Sequence, residues 1–367
     1  MPFPIVLSNG PPPDGLARVA DAGVTMVRTG RATWSDAAVG EERALLDAAA
    51  ARGLQCWVWL GGLQDLPAGA PSPQRDLLTH VVDQLHTHPA LGAWKGHDEP
   101  NLGNVPPANL ERGLRAIKSV DDTHPVVVVM APRGTPQSLV RYRKSVDVAG
   151  VDVYPVSYPP GVHSSLPAKD VGVVGDQARW LRAGVGTKPF WLTLQIAWSG
   201  ILPPHVPRFP SSAELRFMAY QAIAAGARGL VFFGGHLTQV MSPADAAAGW
   251  NWSFWTQSLE PLVRQLSSTA LAPALDAPAG VKVQASVKDV EIATRRTAQF
   301  DYLIAVRRGN ATSRVQFTGL PSTLRGGQVL FEYANGAFRS VGVSGGAFTD
   351  WFGPRDARVY RFTRQTG

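Results

Sequence analysis

The chain has 367 residues, 45% apolar and only 17% charged, a composition that supports a large core and excludes extended disorder. The formal charge of +7 is scattered, with no basic run longer than Arg295-Arg296 or Arg307-Arg308, so no nucleic-acid partner is expected. No apolar stretch reaches the roughly 18 residues of a membrane span, and no charged n-region with an apolar core marks a secretory signal. The compartment therefore stays open between the cytoplasm and export with a removed leader. Cys56 is the single cysteine, in the apolar run Leu54–Leu60, and is expected to be a buried thiol without a disulfide.

Short apolar runs alternate with amphipathic stretches from Ile5 to about residue 268. The runs Ile5–Leu7, Thr25–Arg28, Gln55–Leu60, Leu91–His97, Val126–Met130, Val148–Tyr154, Phe190–Leu194 and Gly229–Phe233 predict strands. Between and after them, Gly15–Ala22, Glu41–Arg52, Gln74–His86, Ala108–Val120, Thr135–Lys144, Gly175–Ala183, Ala213–Ala225 and Phe254–Leu266 predict helices. Ser211-Ser-Ala-Glu214 has the form of a capping box. This alternation is that of an α/β protein with a (β/α)8 barrel over residues 1–270. A doubly wound sheet is the competitor, but Ser8-Asn-Gly-Pro-Pro-Pro13 is too rich in proline for a phosphate-binding loop.

Residues 271–280 read as a Pro/Ala-rich linker. The pattern then switches to period two at Val281–Val287, Val290–Thr294, Phe300–Arg307, Ser313–Phe317, Gln328–Glu332, Ala337–Val341 and Arg358–Phe362. Arg308-Gly-Asn310 and Asn335-Gly336 supply turns, so residues 281–367 are expected to form a small antiparallel β-sandwich.

Titratable residues concentrate in Gly92-Ala-Trp-Lys-Gly-His-Asp-Glu-Pro-Asn101. In a barrel, Glu99 would lie at the C-terminal mouth of the fourth strand, where such folds keep their chemistry. A carboxyl there can exchange protons with a bound substrate. Asp152, near the end of strand six, is the best second carboxylate, although a purely structural role is equally open. Asp98 is the other candidate, but neighbouring strand residues face opposite ways, so its use would need a bulge or the strand end. Lys95 shares parity with Glu99 and could pair with an acid inside the barrel. Arg28 ends strand two and could clamp a carboxylate. His97 could tune Glu99 or simply pack. Tryptophans Trp34, Trp59, Trp198, Trp250 and Trp252 fall at strand ends or in following loops, and two of them are expected to line a cleft. His236 follows Gly234-Gly235 at the end of strand eight. No His/Cys spacing suggests a metal, and no cofactor is expected.

Asp98-Glu-Pro100 after Leu91-Gly-Ala-Trp94, together with Gly150-Val-Asp-Val-Tyr-Pro155, Gly249-Trp-Asn-Trp-Ser-Phe-Trp255 and the closing Val359-Tyr-Arg-Phe362, resembles the clan A glycoside hydrolases. The resemblance implies a barrel with a C-terminal sandwich, a carbohydrate substrate, a monomer or weak homo-oligomer, and Glu99 as the acid that protonates the glycosidic oxygen. Asp152 or Asp98 would supply the second carboxylate, and Arg28, Trp59, His97, Tyr154, Gln195, Trp198, His236 and Trp250 would hold sugar. Retaining members carry a nucleophilic glutamate on strand seven. Here Gln195 stands in that place, so inversion or an unconventional nucleophile is expected. A non-catalytic carbohydrate-binding barrel and a lyase are the alternatives.

Overall fold

The computed structural model describes residues 2–69, 72–161 and 163–364. Strands β1 (Ile5–Ser8), β2 (Met26–Gly30), β3 (Gln55–Trp59), β4 (Leu91–Asp98), β5 (Val126–Met130), β6 (Val148–Val153), β7 (Phe190–Gln195) and β8 (Leu230–Phe233) are parallel and close into a barrel, β8 returning to β1. Each strand alternates sides, which sorts its residues into two sets. Val6, Met26, Trp57, Ala93, Val127, Val129, Val148, Trp191 and Val231 form a core cluster of their own, the barrel interior. Trp57 and Trp191 meet edge-on there at 5.7 Å. The opposite residues, such as Val58, Val128, Val151 and Leu192, join the larger core under the helices.

The helices follow the sequence pattern closely. Ser211 caps Ser212–Ala224 in the expected box with Glu214. The fifth helix is shorter than predicted, Pro136–Val140, and gives way to a 3-10 turn at Arg143–Ser145. There Tyr142 is buried, its hydroxyl donating to the Val105 carbonyl at 2.9 Å. No helix among the described residues is long and apolar enough to cross a membrane.

The stretch 271–280, read as a linker, contains a short helix, Ala272–Leu275, with Ala274 and Leu275 buried. Beyond it lie a five-stranded antiparallel sheet and a three-stranded one. Phe317, Phe348, Phe352, Tyr360 and Phe362 fill the core of this region. The predicted first strand is reduced to Gln284–Ala285, and one strand, Ala347–Phe352, was not anticipated. Its inward set is Phe348, Asp350 and Phe352, and the aspartate disguises the alternation. Arg339 at 2.6 Å, Arg358 at 2.8 Å and the Tyr360 hydroxyl at 2.9 Å satisfy that buried charge. The five-stranded sheet packs on the barrel, since Ile304, Val306 and Val359 belong to the barrel's own outer core. Arg308 adds a bidentate pair to Asp176 on the helix Val173–Val185, both contacts at 2.8 Å.

Candidate active site

The inward rows continue upward into a cavity of about 490 Å³, a size ordinary for small-molecule sites. Ser8, Arg28, Trp59, Lys95, Thr193 and Phe233 line it, each two residues beyond a member of the interior cluster. Asp152 stands four residues beyond Val148 on the same row of β6. Strand parity alone therefore carries these side chains to the C-terminal mouth.

β4 breaks the rule, and the break creates the site. Its pairing with β5 slips between Lys95 and Asp98. Glu99 then adopts a positive φ of 45° while its N–H donates to the Val129 carbonyl at 2.8 Å. A left-handed non-glycine residue costs roughly 1–3 kcal/mol, and such strain gathers at functional sites. The outcome is that adjacent residues Asp98 and Glu99 both line the cavity.

Glu99, Asp152 and His163 each present a ligand atom, and all three atoms lie within 4.8 Å of one another. Burial, then the Asp98 charge, raises the Glu99 carboxyl above its usual range. Burial, then Glu99, raises the Asp152 carboxyl well above its own. Two carboxyls so placed titrate as a pair and hold a proton between them more readily than two charges. Lys95, buried, binds Asp98 at 2.5 Å and lies 5.0 Å from the Trp59 ring. Tyr154 stacks on His163 at 4.5 Å and on Phe233 at 5.4 Å, and His163 lies 4.3 Å from Trp198. Burial, with Arg133 adding, holds the His163 ring down at about 3, so it is neutral near pH 7. The two carboxyls and His163 form a donor set suited to a divalent cation as well as to a proton.

Of the residues singled out from sequence, Glu99, Asp152, Asp98, Arg28, Trp59, Tyr154, Trp198 and His236 line this one cavity. His97, Gln195 and Trp250 do not. The bulge turns His97 away: its N–H donates to the Gln64 amide oxygen at 2.9 Å and its Nδ1 meets the Asp98 carbonyl at 2.8 Å. Gln195 is fully buried, accepting from the Val156 N–H at 2.9 Å and donating to the Val156 carbonyl at 2.8 Å. Its amide fastens the loop after β6 and does not line the cavity. Trp250 is buried too, donating to the Asn9 carbonyl at 3.1 Å. Arg28 bonds the Asn9 amide oxygen at 2.7 Å, and among the described residues no carboxylate is within ion-pair distance. Asp245 caps its own loop through Ser242 and Ser253, and Glu214 is held by Arg208.

The sequence reading missed His163, Arg133 and Trp57, all lining the cavity. Trp57 is also a member of the interior core cluster. His163 carried no local signal. A bridge between Tyr154 and His163 returns it to the mouth, and only the folded loop shows that.

Because both Gln195 amide atoms are committed, Gln195→Glu is expected to destabilise the fold rather than install a nucleophile. A carboxylate facing the Val156 carbonyl loses the donor, at a cost of about 1–3 kcal/mol. Urea denaturation measures this; unchanged stability with raised activity would refute it.

No family model matches the chain, and no curated protein matches it. Solved structures do. A glycoside hydrolase family 5 protein from Bacteroides vulgatus aligns over 100% of this chain and 89% of its own, at 13% identity and TM-score 0.66. A bifunctional glucanase-xylanase from a metagenome library aligns over 100% and 97%, at 11% identity and TM-score 0.58. A family 30 endoxylanase from Clostridium papyrosolvens aligns over 99% and 96%, at 11% identity and TM-score 0.54. The fold is that of the glycoside hydrolase barrels. At these identities the likeness extends to architecture alone.

Proposed function

We propose that the chain hydrolyses glycosidic bonds, with Glu99 as general acid and Asp152 as the facing carboxylate. The observation that carries this reading is the coupled Glu99–Asp152 pair lining a cavity walled by Trp59 and Trp198. A carboxyl raised by burial holds its proton to higher pH than a free one, which suits it to deliver that proton to the leaving oxygen. Flat indole rings give the C–H faces of a sugar a surface to stack on.

The spacing also bears on stereochemistry. Inverting enzymes need carboxyls roughly 6.5–9.5 Å apart to seat a water, whereas retaining ones sit at roughly 5–5.5 Å. The nearest oxygens of Glu99 and Asp152 approach within 4.8 Å, nearer the retaining spacing than the inverting one. Asp152 therefore fits the role of nucleophile or of charge facing an oxocarbenium-like centre, and retention is favoured despite the amide at position 195. A non-hydrolytic carbohydrate-binding barrel is the second reading, favoured by Gln195 at the place of the usual strand-seven nucleophile.

A screen across a panel of polysaccharides, followed by proton NMR of the first-formed anomer, tests the proposal. Turnover with retention supports it. Sugar binding without turnover supports the second reading. Zinc added to an active preparation is expected to inhibit, because it would occupy the oxygens that must carry the proton, and a chelator should restore the rate. Activation by zinc would contradict the carboxyl-only mechanism.

A further inference from the structure

Two of the cations that line the cavity contact no acid among the described residues. Arg28, Lys95 and Arg133 line it, as do Asp98, Glu99 and Asp152. Lys95 is committed to Asp98 at 2.5 Å. Arg28 and Arg133 have no carboxylate within 4.0 Å among the described residues. Arg28 bonds only the neutral amide of Asn9, lies 5.2 Å from the Trp59 ring, and leaves its Nε buried without an acceptor. Among the described residues, the Arg133 guanidinium reaches only the Pro132 carbonyl, at 3.4 Å. The close approach of Glu99 and Asp152 disfavours two full charges on that pair. Lys95 and Asp98 offset one another, leaving Arg28 and Arg133 opposite the Glu99–Asp152 pair.

A guanidinium in a cavity wall is costly unless an anion or a full set of acceptors meets it. Asp98 and the buried Glu42 act on Arg28 through space, but neither contacts its guanidinium, and Met26 and Gly30, its neighbours on the row, are uncharged. Its placement is also fixed in advance, since Trp250 holds the Asn9 backbone while the Asn9 side chain holds Arg28. Preorganised, unpaired and facing a cavity, such a group is suited to a ligand's anion.

We infer that the sugar bound beside the Glu99–Asp152 pair carries an acidic substituent, a carboxylate or a sulfate ester, with Arg28 as its anchor and Arg133 as a second cation. This rests on the hydrolytic reading for the identity of the site, but its test reads binding alone. The probes are glucuronate, glucose 6-sulfate and glucose, titrated calorimetrically into the wild-type protein, Arg28→Met, Arg28→Lys and Arg133→Met.

The expected result is that one or both anions bind about tenfold or more tightly than glucose, as one charge-assisted hydrogen bond provides. The preference should shrink as salt is raised. Taken as the ratio to glucose in the same variant, it should vanish in Arg28→Met, persist in part in Arg28→Lys, and weaken in Arg133→Met. A preference for glucuronate identifies a uronate, and one for glucose 6-sulfate a sulfate ester. Glucose binding as tightly as both anions overturns the inference, as does a preference that survives both methionine substitutions. Should Arg28→Met fail to fold, Arg28→Lys and Arg133→Met decide it. Preference without hydrolysis of any glycoside would overturn only the hydrolytic reading, and hydrolysis of neutral glycosides without preference only this one.

Discussion

Glu99→Gln is expected to lower turnover by about 10²–10⁴-fold while sugar binding is kept. The substitution preserves shape and removes the proton that Glu99 would deliver. It also removes one partner of a coupled pair, so the remaining Asp152 ionises more easily and the variant should not lose stability. The measurements are kcat on a substrate with a poor leaving group and the unfolding midpoint. A variant that hydrolyses such a substrate at the wild-type rate would remove Glu99 from the mechanism. One that loses activity only because it unfolds would point to the backbone at φ 45°, where the native conformation is already strained.

Asp152→Asn is expected to have opposite effects on activity and stability. Turnover should fall by about 10²–10⁴-fold if this carboxylate faces the reacting carbon. Stability should rise at neutral pH. The sign follows from burial and from Glu99, which raise the Asp152 carboxyl well above its ordinary range. In the unfolded chain the group ionises near pH 4. Between that pH and the raised native value, the unfolded state gives up its proton freely while the native state resists, so the aspartate subtracts stability as pH rises. Asparagine carries no such penalty. Its advantage should be present at pH 7 and absent below about pH 4, where both states hold the proton. Urea denaturation of both proteins at pH 3.5 and pH 7 checks the trend. A less stable Asp152→Asn at pH 7 would mean that the carboxylate is a structural acceptor. A stable but inactive variant would fit the common exchange of stability for function at working sites.

The alternation of apolar strands with amphipathic helices was enough to find the barrel, because a parallel strand covered on both sides must be apolar along its length. Strand parity was legible as well. It put Arg28, Trp59, Lys95 and Asp152 on the inward rows, since side chains on a regular strand change sides at every residue. Both signals are local, and neither survives an irregularity. The slip after Lys95 and the left-handed Glu99 set Asp98 beside Glu99 at the cavity and turned His97 out, against the simple alternation. Asp350 hid a strand because its charge is satisfied by Arg339 and Arg358, brought in from other strands. Gln195 looked like a substitute for a nucleophile, and only the approach of Val156 gives both its amide atoms partners. His163 and Arg133 lie on loops, whose course depends on contacts made after the barrel closes. Sequence decided which residues the strands would carry to the mouth; tertiary structure decided which of them would stand close enough for sharing a proton. The sharing depends on distances between strands, and a one-dimensional pattern holds no record of them.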